Sequence, residues 1–174
     1  MFIGRAIRNG RIESSKSLVT DFRANSPVHC PTQGAFIGGL CALFQATGKQ
    51  EYLDDAVKVA GSVLTKSGIV LPDGVIVEKL GTEGDATLFK GIFARYFGQL
   101  RDVLTDSKLH PDMARQIDGH LRASVASLLQ HSVGTDGMFT AGWHDGAKDR
   151  GANFNTQTSA LSALAALLPV KRSD

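Results

Sequence analysis

The chain has 174 residues, enough for one domain that buries roughly 70% of the surface its unfolded form exposes. Hydrophobic residues make up 43% and charged residues 21%, which excludes wholesale disorder. Nineteen basic against seventeen acidic side chains leave a net +2, too even a balance for electrostatic capture of nucleic acid.

Met1 to Arg8 reads as a short helix stopped by Asn9-Gly10, a dipeptide that tolerates positive φ and favours a turn. Leu18 to Phe22 reads as a short strand, and Asn25 to Pro31 as a loop with two prolines. Residues 1–32 thus form a lead-in to a single domain over 1–174. Gly34 to Thr47 is apolar almost all round, so it predicts an inner helix surrounded by protein, with Gly48 as its stop. Gly34, Gly38 and Gly39 each cost such a helix up to about 1 kcal/mol, which makes sense where neighbouring helices approach closely.

Glu51 to Lys66 is different. Leu53, Val57, Ala60 and Leu64 form one stripe, with Asp54, Asp55, Lys58 and Ser62 outside it, the pattern of an outer amphipathic helix. Residues 68–78 read as two short strands joined by Pro72-Asp73-Gly74. A loop, Lys79 to Gly84, leads through Asp85 into a second inner helix, Ala86 to Thr105. Pro111 to Gln130 opens on a proline suited to a first helical position and is again amphipathic. A glycine- and aspartate-rich loop with Met138, Phe139 and the single tryptophan, Trp143, precedes a last inner helix, Thr156 to Leu168, ended by Pro169.

Inner and outer helices therefore alternate, with inner helices beginning near residues 33, 86 and 156, a repeat of about 53 to 70 residues. Long loops gathered on one face, each leading into an inner helix, predict an all-α stack of helical hairpins: an α-solenoid or an α/α toroid carrying a small β-hairpin. Such loops are more often functional than decorative.

Three segments carry a resemblance. TQGAFIGGLCALFQATGKQEYLDDA, GDATLFKGIFARYFGQL, and GMFTAGWHDG followed by NTQTSALSALAALL together resemble glycoside hydrolase family 76, the endo-α-1,6-mannanases, over about residues 9 to 168. Phe89 to Tyr96 is the most specific part. The resemblance implies half of an (α/α)6 toroid, its C-terminal half. It also implies hydrolysis of α-1,6-linked mannan with retention, by two neighbouring aspartates acting as nucleophile and acid–base. In the family that pair precedes the segment matching Gln33, and no such pair stands upstream of Gln33 here. Where family members often carry aromatics before this segment, the chain has His29-Cys30-Pro31-Thr32.

Asp54-Asp55 is the one tempting substitute. Adjacent helical positions diverge by about 100°, however, and both lie off the apolar stripe, so a solvated outer face is expected. No catalytic residue is assigned. The candidate substrate-binding residues are Gln33, Asp85, Lys90, Trp143 and Gln157. Each has a structural reading beside it. Asp85 reads as a helix cap or an acceptor for sugar hydroxyls. Lys90, in an apolar helix, needs a carboxylate partner or water. Trp143 reads as a sugar platform or a packing lid. Gln33 and Gln157 open inner helices at the loop face. Arg95 with Tyr96 reads as an internal pairing.

No metal and no cofactor is expected, since the five histidines lack ligand spacing and Lys90-Gly91 does not complete a P-loop. No apolar run approaches the roughly 20 residues of a membrane span. MFIGRAIRNG lacks the core of a signal peptide, although family members are usually exported, so the compartment stays open. Pairing of Cys30 with Cys41 stays open too.

The expected protein is glycosidase-like, acts on or binds mannan-type polysaccharide, and is a truncated form lacking the catalytic pair. The alternative is a non-catalytic carbohydrate-binding or interaction protein that completes its ring by dimerisation, through flanks near Phe36, Phe93 and Leu164, or by joining a missing N-terminal half. A third reading, another α/α-toroid enzyme such as an uronyl hydrolase or sugar epimerase, is opposed by the Phe-Lys-Gly-Ile-Phe run.

Overall fold

The computed structural model describes residues 7–8, 11–12, 30–78, 83–144 and 151–168. Among the described residues five α-helices carry the fold: α1 (Cys30–Thr47), α2 (Gln50–Ser62), α3 (Ala86–Ser107), α4 (Pro111–His131) and α5 (Phe154–Ala166). A π-helical turn, Val63–Ser67, extends α2 and stops at Gly68, whose φ is +66°. The expected helix and loop order holds. The expected strand at 18–22 lies outside the described residues, as does Pro169.

Three boundaries differ from expectation. Ile7–Arg8 (β1) is not helical; it pairs antiparallel with Arg11–Ile12 (β2), with Ile7 opposite Ile12. Asn-Gly between two short apolar-basic pairs is a stronger signal for a two-residue β-turn than for a helix stop. Second, Cys30 and Pro31, assigned to the preceding loop, form the first residues of α1. A proline in the first turn loses no hydrogen bond, because that N–H has no intrahelical acceptor. Third, α5 begins at Phe154. Asn153 caps it: its side chain accepts from Thr156 N at 3.0 Å, and Thr156 Oγ1 accepts from Asn153 N at 2.9 Å.

α1, α3 and α5 lie side by side, with α2 and α4 packed against them as the outer layer. The inner helices run parallel and close. A Cβ on Gly34 would meet Phe93 Cα at 2.9 Å, and one on Gly38 would strike the Tyr96 ring at 2.2 Å. A Cβ on Gly91 would lie 2.4 Å from Ser159 Cα, and one on Gly98 2.9 Å from the Ala166 carbonyl oxygen. Both α3–α5 contacts share one offset, 68 residues, which only parallel helices in register give. Gly39 differs from its neighbours: nothing lies within 4 Å of its Cβ position.

The core runs between the two layers through Ile37, Leu53, Phe93, Phe97, Leu100, Leu104, Ile117 and Leu121, all at 0% exposure. Cys41 joins it as a free thiol, and burial pushes its pKa up to about 12. α1, however, is not enclosed. Ala35, Gly39, Ala42 and Ala46 form an exposed small-residue stripe. On α5, Phe154 and Leu161 are exposed by 82% and 60%, and Leu168, two residues past its end, by 67%. The flank residues expected to be open are not: Phe93 is fully buried, and Phe36 and Leu164 are half-buried against the core.

The expected β-hairpin over 68–78 contracts to a single antiparallel bridge, Val70 to Ile76, around an Asp-Gly turn. A matching bridge, Val133 to Phe139, occurs in the second loop. The two turns are copies 63 residues apart (Asp73 to Asp136, Gly74 to Gly137). Asp73 Oδ1 accepts from Val75 N at 3.1 Å and Asp136 Oδ1 from Met138 N at 3.0 Å. Gly74 and Gly137 have φ of +90° and +78°, which favours glycine in both. Leu71 N and Gly134 N close each turn at 2.9 and 2.8 Å. The described residues from Cys30 to Leu168 therefore hold two copies of one unit (inner helix, outer helix, Asp-Gly turn), followed by a third inner helix.

Candidate functional site

The two Asp-Gly turns and the starts of α3 and α5 come together at one end of the helical layers. His144 Nε2 lies 2.9 Å from Asp73 Oδ2, joining the second loop to the first turn. The Asp73 carboxyl is held below its usual range, first by the Val75 N–H and also by His144. The first turn rests on α4: Ile76 N donates to Ser124 Oγ at 2.9 Å, and His120 Nδ1 lies 3.2 Å from Gly74 O.

Gln157, a predicted site residue, fastens the second turn to α5. Its Oε1 accepts from Phe139 N at 3.1 Å and its Nε2 donates to Phe139 O at 2.7 Å, so one side-chain amide replaces a strand partner. Phe139 and Ile76 are equivalent positions of the two units, and each backbone N–H is satisfied by a helix side chain: Ile76 from α4 and Phe139 from α5.

Lys90 is 3% exposed on α3. Its Nζ donates to the Ala141 carbonyl and sits 5.0 Å from the centroid of the Trp143 ring. An ammonium over an indole face recovers part of the solvation lost on burial. Trp143 is itself 2% exposed, the packing position of the two weighed for it rather than an open platform. Ser127 Oγ donates to its carbonyl at 2.5 Å. Glu78, Lys90, Ala141, Trp143 and His144 line a cavity of about 110 Å³. Gln33 is 7% exposed near the start of α1, within the inner layer rather than on its surface.

Asp85 stands apart. It directly precedes α3 but caps nothing with its side chain; its backbone is already helical, at φ −68° and ψ −21°. Thr87 Oγ1 donates to Gly84 O at 2.8 Å in that turn instead. The exposed Asp85 carboxylate faces Asn155, whose Nδ2 lies 3.4 Å from both Asp85 Oδ1 and Gly84 O. Asp85, the half-buried Asn155 and the exposed His144–Asp73 pair are among the polar groups of this end. Sequence reasoning passed over Asn155, although it opens the NTQTSAL segment. It also passed over the Asp73–His144 link, whose partners are 71 residues apart.

The Asp54–Asp55 pair is elsewhere, on the outer helix α2. Asp54 Oδ1 is 2.8 Å from His110 Nε2, and Asp55 Oδ1 accepts from Lys58 Nζ at 2.9 Å. Arg95 is exposed rather than internally paired, while Tyr96 packs on Gly34 and Gly38. Among the described residues no three His, Cys, Asp or Glu side chains cluster to hold a metal ion. No described helix is long and apolar enough to cross a membrane.

Parallel inner helices backed by outer ones, with long loops meeting at one end, define an α/α-toroid protein of the glycosidase type. The chain belongs to glycosyl hydrolase family 76, whose profile matches residues 23–173. It is similar to the α-1,6-mannanase GH76A of Salegentibacter sp. HEL1_6, at 29% identity and a TM-score of 0.67, over 80% of this chain. That enzyme was also solved as an inactive variant, changed at two adjacent aspartates, in complex with α-1,6-mannotriose; the TM-score is 0.68. The Lin0763 protein of Listeria innocua matches at 26% identity and a TM-score of 0.61. These neighbours are (α/α)6 toroids, and the chain spans only 39% and 36% of their lengths. No curated protein sequence matches the chain.

Proposed function

We propose that the chain is a mannan-recognising, glycoside hydrolase-like unit. It supplies one wall of a cleft for α-1,6-linked mannose polymers and does not itself carry the nucleophile and acid. The reading is carried by the likeness, over 80% of this chain, to a mannanase solved with α-1,6-mannotriose. The polar end of the helical layers supports it. A carboxylate with no capping duty, Asp85, stands beside the amide of Asn155, and such pairs accept from and donate to vicinal sugar hydroxyls.

In this reading Asp85 and Asn155 touch the sugar. Lys90 and Trp143 line the small cavity, Gln157 holds the second turn against α5, and Gln33 lies buried near the start of α1. Retaining hydrolysis needs two carboxyl groups about 5–5.5 Å apart across the scissile bond. Asp54 and Asp55 do not serve, being bound to His110 and Lys58 on the outer layer.

Affinity electrophoresis of the purified chain through gels containing α-1,6-mannan tests the binding, with reducing-end release as the companion assay. The expected result is retardation without release. Asp85→Ala should weaken retention about tenfold, the loss of one charge-assisted hydrogen bond, with little change in stability. Absence of retardation would sink the binding reading, and steady release of reducing ends would sink the non-catalytic one.

A further inference from the structure

The two Asp-Gly turns are chemically alike but differently guarded. An Asp-Gly bond is open to one internal reaction, attack of the glycine nitrogen on the aspartate side-chain carboxyl, because glycine carries no side chain to block the approach. Both turns hold the reacting groups in place. Asp73 Oδ1 accepts from Val75 N and Asp136 Oδ1 from Met138 N, which folds each carboxyl back over the glycine between them. Gly74 N donates to Leu71 O at 2.9 Å and Gly137 N to Gly134 O at 3.0 Å, so the two nitrogens are engaged alike.

The surroundings differ. Asp73 is bound a second time, its Oδ2 lying 2.9 Å from His144 Nε2. The Val75 N–H first, and His144 after it, hold this carboxyl below its usual range. A carboxyl kept ionised is a poor electrophile, since it has no neutral hydroxyl to lose. Gly74 is buried against α4, with His120 Nδ1 3.2 Å from its carbonyl oxygen and Ser124 holding Ile76 N. In the second turn Asp136, Gly137 and Met138 are all exposed. Nothing lies within 4 Å of a Cβ placed on Gly137, so a ring has space to close there.

We infer that Asp136 is a modification site, where the chain rearranges to a β-linked aspartate, and that His144 and α4 protect the matching Asp73. The Gly137 N–Asp136 Cγ bond forms, the nitrogen gives up its proton and the carboxyl gives up a hydroxyl. One water thus departs as a five-membered imide closes. One water returns and breaks the bond between that nitrogen and the main-chain carbonyl carbon of Asp136. The main chain then runs through the side-chain carbons, one methylene longer, and the old main-chain carbonyl becomes the free acid. Mass and charge are unchanged, and no oxidant takes part. The carboxyl that held Met138 N becomes main chain, one residue before the Phe139 backbone that Gln157 fastens to α5. Mannan has no part in this reaction.

Storage of the full chain at body temperature and mildly acid pH, folded and in concentrated urea, tests the assignment. Electron-transfer fragmentation of its tryptic peptides locates a β-linked aspartate despite the unchanged mass. It also separates Asp136 from Asp145, which precedes another glycine. In the folded chain the ratio of Asp136 to Asp73 conversion should exceed the ratio in urea about fivefold or more, from the ion pair and the local burial together. His144→Ala, with helix content unchanged by circular dichroism, should speed Asp73 about two- to fivefold and leave Asp136 as it was. Absence of the β-linked form at Asp136 overturns the inference, as does a folded ratio no greater than that in urea. An Asp73 rate that His144→Ala leaves unmoved overturns it too.

Discussion

At the scale of single residues, polar side chains here act mainly as loop fasteners. Gln157 pairs with both backbone groups of Phe139, Ser124 satisfies Ile76, and His144 meets Asp73. Asp73 carries a pH consequence. Its pKa in the folded chain lies below the ordinary 3.8, so its stabilisation is present above that value and fades as the pH falls through the depressed one. Asp73→Asn should lower the urea midpoint near about pH 6, and the difference from the parent should shrink towards about pH 3. A difference that grows on acidification would contradict the assignment. These fasteners were mostly illegible in the sequence, because their partners lie far apart along the chain. Asp85 was legible as a polar residue at a helix start, but only its backbone angles show that it is not the cap. Trp143 illustrates the opposite limit. A lone loop tryptophan reads the same way whether it faces a sugar or, as here, a buried lysine.

At the scale of elements, glycine placement sorts tight junctions from open faces. Gly91→Ala places a methyl group 2.4 Å from the Ser159 backbone, which cannot move aside as a flexible side chain would. It should cost about 1–3 kcal/mol in chemical denaturation, with α3 and α5 forced apart. Gly119, exposed within α4 with nothing within 4 Å, should behave oppositely: alanine there should stabilise by up to about 1 kcal/mol. Equal effects at the two sites would remove the packing account of Gly91. The helices themselves were readable because Gly48, Pro111 and the apolar stripes punctuate them. Ile7–Arg8 was misread because four apolar or basic residues before Asn-Gly suit a helix end and a β-turn alike. The second Asp-Gly turn escaped notice for a different reason: Val133 and Phe139 flank it without any run of alternating residues. Its kinship with the first shows in hydrogen bonds, not in composition.

At the scale of the whole molecule, α3 occupies the middle. It packs on α1, α4 and α5, whereas each edge helix leaves a face uncovered. Native-state hydrogen exchange should therefore find the slowest amides in α3, around Phe93, Phe97 and Leu100, with α1 and α5 opening at lower cost. Uniform protection across all five helices would instead indicate one indivisible cooperative unit. Inner and outer layers were foreseeable from the alternation of apolar and amphipathic segments. The open edges were not, because an all-apolar helix such as α1 does not reveal which side its own neighbours leave bare.

The 63-residue copy of the Asp-Gly turn bears on how such a chain changes over time. Every unit presents the same kind of trailing edge and accepts the same kind of leading edge. Gain or loss of a whole unit therefore relocates the boundary without requiring a new set of contacts. Insertions of other lengths would shift the glycines out of step with their neighbours and meet backbone where space is needed. Viable lengths should accordingly come in steps, and inheritance of the fold becomes a matter of counting.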